Sequence, residues 1–281
     1  MQILVNQKYS KLTLEEIPFQ FWEGFPIVKG LSVFLKPNLV SPKTDWDRTS
    51  CTHVKVVELV VQKLIAEKAK HITIGECGFK DQWENTLKST GYDKLIEKYP
   101  QVDIIPLQDG ENYHKFTLCR LEKYRSLFGV KFSDYMLACD VVINIPKMKV
   151  HCMAGMTGAV KNMMGTMVAK GNMHPRGSCT ILQDRLADLY QLTSPLVHFV
   201  VMDGIIGQEY SEQCGNPVKS GLLLSGTNQW EIDVAASLCM GINPHKIPYL
   251  RYIQQSIEIP FQFASVPAKS IQKYELPINF K

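Results

Sequence analysis

The stretch from Val141 to Gln183 contains no Asp or Glu but carries Lys147, Lys149, Lys161, Lys170 and Arg176, with His151 and His174 among them. Elsewhere in the chain acids and bases are mixed, so positive charge is concentrated here. Imidazole is the side chain whose ordinary pKa suits proton transfer near neutrality. Neighbouring ammonium groups lower that pKa and keep the ring neutral, the form a base needs. His151 and His174 are therefore the candidate acid/base pair, with Lys161 as their cationic companion. Thr157-Gly158, followed by Ala159 to Met167, predicts a helix with Thr157 as N-cap and Gly165 weakening its far end. Free backbone N–H groups at such a start suit a phosphate or carboxylate, and Gly155 and Gly158 permit close approach. Lys161 lies one turn in on the same face; Lys147 and Lys149 precede it. Packing glycines and solvated lysines would be the plainer account. The agreement of glycines, lysines and missing acids favours an anion site.

Alternating patterns around this stretch predict an α/β protein with a mostly parallel sheet flanked by helices and an insertion or smaller lobe. Ile3–Val5, Leu31–Leu35, Ile72–Gly75, Val102–Leu107, Val141–Ile145, Leu196–Met202 and Leu222–Leu224 read as strands. Helices are expected over His53–Ala69 with Thr52 as cap, over Trp83–Tyr99 closed by Pro100, from Ser133, and over Ile181–Leu192 and Trp230–Met240. Ser41–Cys51 and Gly207–Gly221 read as polar loops, and Gln108–Tyr124 as a hairpin insertion. Residues 1–258 form one α/β domain, or two closely packed lobes, followed by a surface-wrapping extension over 259–281. Ligands of such sheets bind beyond the strands' carboxyl ends. Lys36, Asn38, Glu76, Asp203 and the lysines after Pro146 all fall at predicted strand ends. With Thr157, Gly158 and Asn162 they form the candidate substrate-binding set, and Asp203 or Glu76 would orient an imidazole.

The chain has 281 residues, 45% of them hydrophobic, with a formal charge of +4. That length supports a full core, and that charge disfavours a general nucleic-acid coat protein. Trp46, Trp83 and Trp230 are too scattered for a base-stacking platform. Cys51, Cys77, Cys119, Cys139, Cys152, Cys179, Cys214 and Cys239 include no CxxC pair, and the start lacks a signal-peptide pattern. Reduced thiols in a cytoplasmic protein are expected, with no membrane span. Metal binding is the rival use of the donors. His53, His151, Cys152 and His174 are candidate ligands for a divalent ion, although no pair has standard zinc or cluster spacing. Seven of the eleven methionines lie between Met148 and Met173 and are expected to fill core.

Several blocks together resemble the domain of unknown function 362 family, over roughly residues 31 to 255. They are Lys36-Pro37-Asn38-Leu39, Thr52-His53, Gly75-Glu76, Ile143 through His151, Thr157-Gly158-Ala159-Val160-Lys161-Asn162-Met163-Met164-Gly165, and Asp203-Gly204. Many relatives carry ferredoxin-type cysteine clusters, and this sequence has no such motif. After Asp203-Gly204 the family's glycine-rich element is replaced by a longer, more polar Glu209 to Pro217. A more distant similarity is to the N-terminal domain of lactate racemase, in the order His151, Gly155, Gly158, Lys161, His174. That resemblance implies a proton-shuttling histidine pair. The racemase's covalent nickel-pincer nucleotide needs a lysine after the second histidine, and none lies between Lys170 and Lys219, which argues against that cofactor.

The expected protein is thus a cytoplasmic enzyme acting on a small carboxylate or phosphate by histidine proton transfer, of isomerase, lyase or addition type. The alternatives are a metal or redox protein and a nucleotide or RNA binder. A homodimer is compatible with the sequence.

Overall fold

A computed structural model describes residues 1–40, 49–77, 82–107, 116–167, 173–174, 178–212, 215–257 and 266–276. In chain order, the N-terminal half contains β1 (Gln2–Leu4), β2 (Ser32–Pro37), α1 (Val54–Ala66), β3 (His71–Glu76), α2 (Trp83–Thr90), α3 (Asp93–Lys98) and β4 (Val102–Pro106). The middle holds β5 (Phe116–Arg120), β6 (Gly129–Ser133), α4 (Asp134–Leu137), β7 (Val141–Ile145), β8 (Lys147–His151), β9 (Gly155–Thr157) and α5 (Ala159–Asn162). The remainder is α6 (Cys179–Thr193), β10 (Val197–Glu209), β11 (Asn216–Val218), β12 (Leu222–Gly226), α7 (Gln229–Cys239) and α8 (Pro248–Ile257).

The main sheet runs β1-β12-β10-β7-β2-β3-β4, with the five strands from β10 to β4 parallel and β12 and β1 antiparallel at one edge. The fold is α/β, a mostly parallel sheet flanked by helices. Strand alternation divides the core between its two faces. Val33, Leu35, Ile143, Phe199 and Val201 pack with α1 and the N-terminal segment. Phe34, Val142, Val200 and Met202 pack with α6, α7, α8 and the methionine-rich stretch. Met148, Met156, Met163, Met164, Met167 and Met173 are all buried there, as core filler. From β2 the chain winds outward to β4, then returns to place β7 and β10 on the other side of β2. The order therefore reverses between β2 and β7, the place where open α/β sheets hold ligands.

Several boundaries differ from expectation, each for a local reason. Thr52 does not cap α1. Its hydroxyl instead ties two strand ends together, accepting from Asn38 N and donating to Ile145 O, and His53 Nδ1 accepts from Lys55 N as the cap. The single helix expected over Trp83–Tyr99 is two, because Gly91 takes the left-handed conformation at φ +79°. Pro146 ends β7 as its type predicts, but strand structure resumes at once. The chain continues as β8, which pairs with the second half of a β10 far longer than expected, so Asp203 lies inside a strand rather than at its end. Part of the expected 207–221 loop is the β10–β11 hairpin. The insertion is a two-stranded sheet of β5 and β6, displaced toward Ser133; residues 108–115 fall outside the described residues. So do Lys170, Arg176, Trp46 and Cys214, most of the Ser41–Cys51 loop and parts of the C-terminal extension. None of the seven described cysteines is in a disulfide. In the extension, Tyr274 is buried, bonding Ser220 at 2.6 Å through its hydroxyl and Met240 O at 3.0 Å through its N–H.

Candidate functional site

A cavity of about 300 Å³ opens at the reversal point, beyond the carboxyl ends of β2, β3 and β7. Asn38, Leu39 and Val40 reach it from the end of β2 and Glu76 from the end of β3. Lys149, His151, Cys152 and Met153 come from β8 and its turn, and Thr157, Lys161, Asn162, Met164 and Gly165 from β9 and the helical segment after it. His174 and Glu212 complete the wall. The acid-free stretch is thus a strand, hairpin and short helix folded around one cavity. Of the candidate residues, His151, His174, Lys161, Asn38, Lys149, Thr157, Asn162, Glu76 and Cys152 line it.

Lys36, Lys147, Asp203, Gly158 and His53 do not line it. Lys147 Nζ bonds Asp203 at 2.8 Å and Tyr9 Oη at 3.0 Å, with both charged side chains buried. Asp203 also accepts from Tyr9 Oη, His53 N and Ile205 N, so it has no capacity left to orient an imidazole. The His53 ring stacks on Tyr9 at 3.7 Å between centroids and is not in the donor cluster that holds His151. Register explains this group: Lys147 and Asp203 are direct partners across β8 and β10. Burial, followed by the Asp203 carboxylate, pushes the Tyr9 phenol well up, leaving it a donor.

Lys36 lies behind the wall. Its Nζ bonds Glu76 at 2.6 Å, Pro37 O at 2.7 Å and Asn162 Oδ1 at 3.4 Å. Glu76 also accepts from Leu39 N and Cys77 N, so this carboxylate holds strand ends rather than a ligand or imidazole. Gly165, read as a helix weakener, is required here: a Cβ would run into Glu76 and Lys36 Nζ.

The helix start after Gly158 is already occupied. Asp233, from α7, accepts from Ala159 N and from Val160 N at 3.1 Å, and Tyr249 Oη donates to it at 3.0 Å. A side chain at Gly158 would collide with that carboxylate. The anion predicted from the sequence is therefore the protein's own, and Thr157, at the end of β9, is not the cap. Burial pushes the Asp233 carboxyl up to about 7 against the pull of those three donors.

His151 is buried, and its Nδ1 accepts from Met153 N at 3.1 Å and Ala154 N at 3.2 Å. An atom that accepts two N–H groups carries no proton, so the neutral ring holds its hydrogen on Nε2. Burial, then Lys161, His174 and Lys149, drive its pKa well below the usual histidine range. The His174 ring lies 5.8 Å away at 24°. Lys149 is held by Ser50 O at 2.8 Å and Glu212 O at 3.1 Å, a buried charge fixed beside the cavity.

Glu212 had no sequence signal beyond its place in a polar stretch. It accepts from Cys152 N at 3.1 Å and from the Cys152 thiol at 3.3 Å. Burial raises the Glu212 pKa, but these donors, its own N–H and Lys161 outweigh it and hold the group below its ordinary value. Burial and Glu212 push the Cys152 thiol up to about 11, so the thiol is protonated. His151, Cys152 and Glu212 bring one potential ligand atom each within 4.8 Å of one another. They fit a divalent ion poorly. Histidine ligands normally donate their second N–H to an acceptor, whereas His151 Nδ1 faces two donors, so an ion on Nε2 would require an imidazolate.

The fold and cavity together define an α/β protein with a crevice lined by histidines, lysines and glutamates at the reversal of its sheet. The family described as Domain of unknown function (DUF362) matches residues 33–237, and the chain belongs to that family. It is 25% identical over 224 residues to the thylakoid-associated protein sll1697 of Synechocystis sp., covering 78% of this chain and 66% of that protein. Among solved structures, a Thermotoga maritima protein aligns with a TM-score of 0.49 and 11% identity, over 92% of this chain and 60% of that one. The lactate racemase apoprotein of Thermoanaerobacterium thermosaccharolyticum aligns with a TM-score of 0.49 and 12% identity, over 85% and 57%. The chain thus spans about two thirds or less of each relative's length. Among the described residues no helix is long and apolar enough to cross a membrane.

Proposed function

We propose that the protein is an enzyme that binds a small carboxylate or phosphate in this cavity and moves a proton on it, in an isomerase- or lyase-type reaction in the cytoplasm. The observation that carries the reading is the pinning of His151. Two backbone N–H groups on Nδ1 hold a neutral ring with its Nε2 proton available, beside Lys149, Lys161 and His174. A neutral imidazole donor suits an oxyanion that develops when a proton leaves the carbon next to a carboxylate. His174 is the group that would accept that proton, and Lys161 would hold the substrate's anionic end. This division of labour differs from two interchangeable bases, because His151 Nε2 already carries a hydrogen. Lys149 would add field rather than contact, since its ammonium is already hydrogen-bonded to two carbonyls.

The experiment is deuterium exchange in heavy water, read by NMR, on a panel of small carboxylates. Wild-type protein is expected to wash out the hydrogen next to the carboxylate of a bound probe, and His174→Gln to abolish the exchange while binding persists. Exchange that survives unchanged in both His174→Gln and His151→Gln would remove the histidines from the mechanism.

A further inference from the structure

A chain of buried amides behind the cavity has only one polarity. Asn144 Nδ2 donates to Ala159 O at 2.7 Å, and a carbonyl can only accept, so Asn144 presents Oδ1 to Asn162. Asn162 Nδ2 donates to that oxygen at 2.8 Å and to Lys36 O at 2.9 Å, a second pure acceptor. Asn162 Oδ1 must then receive, and it takes Asn38 Nδ2 at 3.0 Å. The orientation of all three amides is fixed by backbone carbonyls at the far end. Asn38 Oδ1 is the atom left over, buried without a hydrogen-bond partner among the described residues, on a side chain that lines the cavity. Thr157 Oγ1, on another wall of the same cavity, is also buried and unpartnered. An orphaned buried acceptor is costly, and a bound molecule that donates to it recovers that cost.

Resting on the anion-binding reading above, we infer that the occupant carries hydroxyl or amino donors besides its anionic group, one of them directed at Asn38 Oδ1 and a second polar group at Thr157. The cavity volume of about 300 Å³ leaves room for such groups beyond a bare anion. The chemical class is a hydroxylated or aminated acid or phosphate, of the size of a sugar acid, rather than a plain mono- or dicarboxylate. The amide chain makes this a matter of selectivity: an analogue without the donor strands the same acceptor.

Calorimetry with two matched series tests the inference. Tartrate, malate and succinate carry two, one and no hydroxyl groups at constant charge and chain length; glycerol phosphate and propyl phosphate form the second pair. Wild-type protein is expected to favour the hydroxylated member of at least one series by about fivefold per donor. Thr157→Val strands no hydrogen-bond partner and is expected to fold normally while flattening the preference. Asn38→Leu is the companion variant, with the same expected flattening. Equal affinity within both series would overturn the donor inference and leave the anion reading standing. Binding of no member of either series, nor of inorganic phosphate as a further probe, would overturn both.

Discussion

Asp233 on α7 accepts the backbone N–H of Ala159, 74 residues earlier in the chain, at the first turn of α5. An internal carboxylate therefore sits where the sequence suggested a bound anion, and the exogenous site shifts to the cavity beside Lys161. Replacing Asp233 by Ala leaves two buried N–H groups and the Tyr249 hydroxyl without their acceptor. A loss of about 2–5 kcal/mol in denaturant unfolding is expected.

The same residue gives a pH signature. Its folded pKa, about 7, lies above the unfolded value of 3.8. The folded state therefore keeps a proton that the unfolded state releases, so this contribution is complete below about pH 4 and is lost as pH rises through 7. Relative to Asp233→Asn, wild-type stability should decline between those limits by up to about 4 kcal/mol. His151 acts in the opposite sense. Its folded pKa is lowered, so destabilisation sets in as pH falls below the ordinary 6.5, and His151→Gln should remove that acid-side loss.

Lys147 and Lys161 are expected to separate cleanly. Lys147→Met leaves the Asp203 carboxylate buried and unpaired by charge, at a cost of about 3–5 kcal/mol in stability. Where the variant remains folded, anion affinity should change little. Lys161→Met should do the reverse, lowering anion affinity about tenfold or more with little effect on unfolding. Equal loss of affinity in both variants would place Lys147 back in the site.

Gly165→Ala should destabilise through the Lys36–Glu76 pair, because the new methyl group displaces a carboxylate and an ammonium that cannot reach water. Differential scanning calorimetry should show a drop of several degrees in Tm. Glu76→Gln should be at least as damaging, since it leaves the Lys36 ammonium buried without its counterion.

Much of the sheet was legible because its strands are apolar runs with turn signals between them, and described residues of the acid-free stretch Val141–Gln183 line the cavity. Local patterns could not supply the long-range partners. Lys147 and Lys149 look alike in the sequence. Only the register of β8 against β10 sets Lys147 on Asp203 while Lys149 lines the cavity. Asp233 and Glu212 lie 74 and 60 residues from the groups they bind, with no motif to announce either. Thr52 illustrates the same limit on a smaller scale: it has the right type for a cap but is drawn away to join β2 to β7. The imidazole tautomer, which decides whether His151 donates or accepts, depends on a turn geometry that composition does not encode.

Everything proposed for the site depends on His151 presenting a neutral Nε2–H to an anion-binding cavity. Nitrogen-15 NMR of histidine-labelled protein across pH 5–8, with and without a saturating bound anion, tests it most directly. An unprotonated Nδ1 and a protonated Nε2 are expected throughout that range, with the Nε2 resonance moving when the anion binds. A His151 that titrates near 6.5, or that carries its proton on Nδ1, would contradict it.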